Sequence, residues 1–305
     1  MRFNPRARLD PSQVDDRTGG GGGGSGSGGG LRLPVGGGIG GVVVAIILYV
    51  IVQSLGGSSG SSRSPGGGSA NTAQCTSGAQ ANESQGCRLV AVTDSVQAFW
   101  AKELPKETGK QYVQIKTVPF SSSVQTDGCG TATSDAGPFY CPNDQRVYLD
   151  LAFFGTLLDQ LGGKDTAFTE AYVVAHEYGH HIQNLLGLMG QVRTQQGPNS
   201  DSVKLETMAD CLAGAWAKHA QETPDADGNT LITDLTQQDI NDGIAAAKVV
   251  GDDAIQKKTS GRVNPEGWTH GSSAQREAAF NVGLKSGTIK ACNFFDSNNR
   301  NYPAS

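Results

Sequence analysis

The sequence predicts an α+β domain preceded by one transmembrane helix. Three observations carry this reading: an uncharged, continuously apolar run near the N-terminus, two segments with period-two alternation in mid-chain, and helical periodicity in most of the chain after Leu151.

Residues 1–33 read as a disordered cytoplasmic tail, because the run GGGGGGSGSGGG from Gly19 to Gly30 offers almost no apolar surface to offset the entropy lost on ordering. A second tract, GGSSGSSRSPGGGS from Gly56 to Ser69, marks residues 56–74 as a linker. Residues 34–55 between them read as a transmembrane helix: Val42–Val52 (VVVAIILYVIV) is apolar throughout, and Val35–Leu55 gives 21 residues, close to the ~20 that cross a bilayer. Arg2, Arg6, Arg8, Arg17 and Arg32 precede it and only Arg63 follows closely. The positive-inside rule then keeps the tail in the cytoplasm and sends residues 75–305 outside. The expected location is the cell membrane, with a single-pass anchor, a cytoplasmic N-terminus and an extracytoplasmic domain. A cleaved signal peptide is the alternative, although the region before the apolar run is long for one.

Residues 75–305 have the composition of one globular domain. All six cysteines, Cys75, Cys87, Cys129, Cys141, Cys211 and Cys292, fall within it, which fits an oxidising compartment and up to three disulfides. Sequence proximity favours Cys75 with Cys87 and Cys129 with Cys141, leaving Cys211 with Cys292. The chain carries a net charge of −5, and with the tail at +2 and Arg63 adding one, the segment after Gln74 carries −8. An acidic domain argues against nucleic acid as a partner.

In chain order, a helical pattern covers Val90–Leu104, with Val92, Val96, Phe99 and Trp100 on one face and Pro105 after it. Tyr112–Phe120 alternates through Val113, Ile115 and Thr117, and Arg146–Leu151 is a second short strand. Ser121–Asp144 is rich in Ser, Gly, Asp and Pro and reads as a loop closed by Cys129 and Cys141. Helical segments come next at Ala152–Leu161, Phe168–Leu186, Ser202–Ala220, Gln237–Lys258 and Ser273–Leu284, with TQQD at Thr236–Asp239 resembling a capping box. DADGN at Asp225–Asn229 lacks the EF-hand spacing and reads as a turn.

The chemistry concentrates in AYVVAHEYGHHIQNLL, where His176 and His180 stand four residues apart and so share one face of a helix at zinc-ligand spacing. Glu177 is offset by one residue, the place of a general base in zinc hydrolases that activate water. Gln183 and Leu186 stand where a metzincin would carry Gly and a third His, so the third ligand lies further on. KLETMADCLAGAWA offers Glu206 and, one turn later, Asp210. Two carboxylates on an otherwise apolar helix need a positive partner; zinc supplies one for Glu206 as ligand, and a zinc-bound imidazole supplies one for Asp210 as the acceptor behind a histidine ring. His219 is the rival ligand. Tyr178 reads as core, and His181, pointing away from the ligand face, as a supporting or surface group.

HEYGHHIQ, ETMADCLAGAWA, FYCPNDQRVYLD and WTHGSSAQREAAF together resemble the predicted neutral zinc metallopeptidases of bacteria, and RFNPRARLDPSQVDDR resembles the tail of that family. The resemblance implies a zincin-like peptidase domain with a small sheet and an active-site helix, and a gluzincin-like site. That site has one Zn2+ per chain on His176, His180 and Glu206, Glu177 as general base, and a peptide or protein as substrate. It also suggests Tyr148 and Asp150 as part of an edge strand that pairs with an extended peptide. In THGSSAQRE, either His270 or Arg276 is a candidate to stabilise an oxyanion, against capping by Ser272 or Ser273 with a structural Arg. Ala278 and Ala279 replace bulkier residues expected there. The competing functions are a zinc amidase cutting a cell-envelope amide, a zinc-stapled binding module, for which Glu177 has no use, and a membrane-tethered scaffold without metal.

Overall fold

The computed structural model describes residues 1–19, 70–155, 162 and 164–305. Two N-capped helices open the domain. Helix α1 (Gly78–Glu83) starts at a capping box between Ser77 and Gln80, and Ser84 caps α2 (Gln85–Thr108). The α2 face bearing Val92, Val96, Phe99, Trp100 and Leu104 is buried. It runs one turn past its predicted end, through Pro105, to Gly109 at φ +72°.

Strand β1 (Arg2–Phe3) lies at the N-terminus, and the central sheet is built from β2 (Lys116–Phe120), β5 (Phe139–Cys141) and β6 (Arg146–Asp150). Between β2 and β5, a small hairpin of β3 (Ser123–Gln125) and β4 (Thr131–Thr133) occupies what the sequence predicts as loop. The order is β2-β6-β5, with β2 parallel and β5 antiparallel to β6. Tyr148 therefore sits on the central strand between Val118 of β2 and Phe139 of β5, which corrects the expected edge strand there, whereas Asp150 pairs with Phe120 of β2 alone. Tyr148 stacks on Phe139 and donates to Asp144 at 2.8 Å, while Asp150 accepts from the N–H groups of Ser122 and Ala152.

The N-terminal residues differ most from expectation. Phe3, Ala7 and Leu9 are buried in the main core, and Phe3 pairs with Ile232 of β7 (Ile232–Asp234). Val14 and Arg17 bridge to Thr117 and Phe120 in parallel, with Asp15 N–H donating to the Thr117 carbonyl and Arg17 N–H to that of Pro119, both at 2.9 Å. Residues 14–17 thus close the outer edge of β2.

That packing bears on the membrane reading, which is corrected. A single crossing places the residues before it and the domain after it on opposite sides, whereas here residues 3–17 are part of the domain itself. Among the described residues no helix is long and apolar enough to cross a membrane, and residues 34–55, on which the expectation rests, lie outside the described residues. The transmembrane helix, the cytoplasmic tail and the single-pass placement with an extracytoplasmic domain are withdrawn together.

The second half is helical: α3 (Ala167–Leu186), α4 (Asp201–His219), α5 (Gln237–Val249), α6 (Asp252–Ser260), α7 (Ser273–Ser286) and α8 (Ile289–Cys292). The predicted helix Gln237–Lys258 breaks at Val250–Gly251 into α5 and α6. Glycines let three of these helices meet backbone to backbone. A Cβ at Gly179 of α3 would lie 3.0 Å from the Ala209 carbonyl oxygen of α4, and one at Gly283 of α7 only 1.8 Å from that of Cys211. Disulfides join Cys75 to Cys87, Cys129 to Cys141 and Cys211 to Cys292, the last tying α4 to α8.

Candidate metal centre

Helix α3 is capped by the Thr166 side chain and stopped by Gly187 at φ +79°, so its length is fixed at both ends. His176 and His180 leave it on the same face, their ring centroids 4.9 Å apart. The close approach at Gly179 brings α4 across this face and delivers Glu206 to both rings. Its Oε2 lies 3.4 Å from His176 Nε2 and 3.7 Å from His180 Nε2. All three side chains are buried, and their ligand atoms lie within 4.8 Å of one another.

These residues fit a zinc ion. Bonds of ~2.0–2.1 Å in a tetrahedral site put ligand atoms about 3.3–3.4 Å apart, near the separations found. His180 Nε2, Glu206 Oε1 and the neighbouring Glu177 Oε2 are buried without a hydrogen-bond partner, which is costly unless a cation takes their lone pairs. Three ligands leave a fourth position open, the arrangement of a catalytic rather than a structural zinc.

Behind each imidazole stands an acceptor. Asp210 Oδ1 lies 2.8 Å from His176 Nδ1, and Gln183 Oε1 lies 2.9 Å from His180 Nδ1. Both contacts leave Nε2 free for metal, the division of roles usual for metal-binding histidines. Gln183 is itself held through its amide, which donates to the Leu205 carbonyl at 2.6 Å. Asp210 also accepts from Tyr172 Oη at 2.5 Å and from Arg276, through Nε at 2.8 Å and Nη2 at 3.0 Å. Arg276 gives further bonds to Tyr172 Oη and the Val250 carbonyl, both at 3.2 Å. Four of its five N–H donors are thus engaged away from the open metal position. The expectation of Arg276 as oxyanion donor is corrected: its charge is matched to Asp210, and Ser272 caps α7 with Gln275.

Burial alone would raise the Glu206 carboxyl; the imidazoles of His270, His180 and His176 outweigh it and hold it well below the usual range. Burial likewise opposes ionisation of Asp210, but Arg276 and His176 bring it down to about 2. Burial would lower His176, yet Asp210, Glu206 and Glu177 lift it to about 10. A divalent cation held by His176, His180 and Glu206 would supply positive charge to the same carboxylates. Glu177 is raised by burial, partly offset by His176 and His180 and by the backbone N–H of Tyr140, which donates to it from β5.

His270 lies on the loop before α7, with Nε2 4.0 Å from Glu206 Oε2 and outside the group of three ligands. His219 is remote from this site, bonded to Glu222 and stacked on Phe99. His181 is buried rather than exposed, bonded to Tyr140 Oη and the Val113 carbonyl and lowered to about 4 by burial. Tyr172, Gln183 and Tyr140 escape sequence reasoning. Of these only Gln183, one turn after His180, has a usable signal.

A family model described as "Putative neutral zinc metallopeptidase" matches residues 1–295. The uncharacterized protein Rv2575 of Mycobacterium tuberculosis strain H37Rv is 46% identical over 226 residues, which is 73% of this chain and 75% of that one. The uncharacterized protein YpfJ of Escherichia coli K12 is 38% identical over 229 residues, 73% and 76% of the two chains. No solved structure matches. With a matched length that takes in both the N-terminal residues and the three converging ligands, the chain belongs to this family of neutral zinc metallopeptidases.

Proposed function

We propose that the protein is a zinc-dependent peptidase that hydrolyses peptide bonds in peptide or protein substrates, with His176, His180 and Glu206 holding one Zn2+ and Glu177 as general base. The observation that carries this is the convergence of three ligand side chains that leave buried, unpartnered atoms at His180 Nε2 and Glu206 Oε1, with Glu177 Oε2 unpartnered beside them.

Zinc at such a site lowers the pKa of water from about 15.7 towards ~7 and polarises the scissile carbonyl. Glu177 takes the proton of the attacking water and passes it to the leaving amine; burial raises its carboxyl above the ordinary carboxylate value. Asp210 and Gln183 keep the two imidazoles in the tautomer and orientation that present Nε2. In this reading His270, whose Nε2 lies 4.0 Å from Glu206 Oε2 and which is outside the ligand group, donates a hydrogen bond to the carbonyl oxygen as it gains charge.

The test is hydrolysis of a mixed peptide library by the full-length, zinc-loaded chain beside its Glu177→Gln variant at equal zinc content. Cleavage by the wild type alone supports the reading. Absence of cleavage by both, each holding one zinc, overturns it in favour of a different amide or a binding module.

A further inference from the structure

We infer that Asp252 is a positioning residue for His270, its carboxylate gathering the backbone of the loop that carries the imidazole and so setting where that ring stands beside the metal centre. The inference rests on the reading of His270 given above and adds a group that no sequence motif marks.

Asp252 is the first residue of α6 and is buried. Its Oδ2 accepts from three consecutive backbone N–H groups, Thr269 at 2.8 Å, His270 at 2.7 Å and Gly271 at 2.9 Å. Its own N–H donates back to the Gly271 carbonyl at 2.9 Å. Three successive N–H groups aimed at one point need an unusual backbone, and Gly271 supplies it at φ +93°. From the other side Ser202 Oγ, near the start of α4, donates to the Thr269 carbonyl at 2.9 Å. The loop is thus clamped between α6 and the helix that carries Glu206. Within it Thr269 Oγ1 lies 2.7 Å from His270 Nδ1. With that hydroxyl donating, the imidazole hydrogen sits on Nε2, the atom facing Glu206.

A carboxylate serving only to hold the fold would affect stability and turnover whatever residue stood at 270. One acting through His270 leaves a signature, because groups that work as a unit are non-additive. The experiment measures kcat and KM on a peptide that the full-length, zinc-loaded wild type cuts, for Asp252→Ala and Asp252→Asn, each with His270 intact and with His270→Ala. Zinc affinity is followed by chelator competition. His270→Ala is expected to lower kcat on the order of 100-fold, the scale of a lost oxyanion donor. Asp252→Ala is expected to lower kcat at least ~10-fold, with KM and zinc affinity within about threefold, and to change kcat less than ~2-fold once His270 is absent. Asp252→Asn keeps an acceptor oxygen and recovers most of the loss; should the alanine variant not fold, Asp252→Ser, polar but too short to gather the three N–H groups, carries the same comparison in both His270 backgrounds.

Equal losses in both backgrounds would overturn the inference. If His270→Ala leaves kcat unchanged, the catalytic reading of His270 fails instead, and the positioning role is then decided without turnover. In metal-free protein, the ring C–H resonances of His270, assigned by their absence in His270→Ala, shift or broaden in the Asp252 variants if the carboxylate sets the ring, and stay fixed if it does not.

Discussion

Replacing Arg276 by Met separates a structural cation from a catalytic one. Arg276 is 5% exposed and its partner Asp210 fully buried, joined by bonds of 2.8 and 3.0 Å. Arg276→Met keeps the length of the side chain but strips Asp210 of the group that does most to hold its carboxyl down to about 2. Removing one partner of a buried pair costs about 3–5 kcal/mol, because the other charge stays behind without compensation. At roughly 2–4 °C per kcal/mol for a chain of this size, Tm falls by about 6–20 °C. Asp210 then grips His176 Nδ1 less well, and zinc affinity falls on the order of 10–100-fold. Calorimetry and chelator competition read the two effects. The sign is checked by Asp210→Asn in the same background: with the stranded charge gone, the double variant is more stable than Arg276→Met alone. A variant that unfolds within ~1 kcal/mol of wild type and binds zinc normally, yet loses ~100-fold in kcat, would refute the structural role and return Arg276 to the reacting carbonyl.

Glu177→Gln should lower kcat by at least ~10²–10⁴-fold while metal analysis still finds one zinc per chain; lost zinc would mean that Glu177 is a ligand rather than a base. Gln183→Leu removes the acceptor behind His180 and is expected to weaken zinc binding ~10–100-fold, a role that unchanged affinity would rule out. Burial, with the charge of Asp10 adding to it and the Asp10 N–H opposing, pushes the Asp94 carboxyl up to about 8, so the folded state holds a proton that the unfolded chain has lost. Stability from this group is complete below pH ~4 and is lost as pH rises through about 8, by up to ~1.4 kcal/mol per pH unit. Urea unfolding should show that slope in the wild type and lose it in Asp94→Asn. The bond between Cys211 and Cys292 spans 81 residues. Replacing both by Ala should destabilise by about 4 kcal/mol on the chain-entropy estimate, and an unchanged denaturation midpoint would contradict it.

How much of the site the sequence reveals depends on how local each signal is. His176, Glu177 and His180 sit within one helical turn, and Glu206 and Asp210 stand out as carboxylates on an apolar helix, so spacing alone marks them. Gln183 can be read from its place one turn after His180, but Tyr172 is an ordinary helical residue until α4 and α7 cross α3, and nothing along the chain announces that crossing. Strand β5, only three residues long, is too short for periodicity and hides in a Gly- and Ser-rich stretch. Without it nothing in the chain contradicts the edge strand that the family resemblance suggests for Tyr148 and Asp150. The apolar residues of the N-terminus, Phe3, Ala7, Leu9 and Val14, are too sparse to form a pattern beside a polyglycine run. They read as tail because their partners are supplied from far along the chain.

That remoteness orders events during synthesis. The Asn82 side chain holds the Phe3 backbone in both directions at 2.9 Å, but the strand partner of Phe3 is Ile232, and at roughly 5–20 residues per second the ribosome needs about 10–50 s to make Ile232 after Phe3. The partners arrive in stages, Ser77 for Arg8 and Asn82 for Phe3 first, then Thr117 and Phe120 for residues 14–17, and Ile232 last; the outer edge of β2 stays open until residues 14–17 come to rest on it. An uncovered strand edge invites pairing with a neighbouring chain. The pairing of Phe3 with Ile232 is therefore completed late in synthesis, and nascent chains crowded on one messenger are exposed to one another wherever the β2 edge is still uncovered.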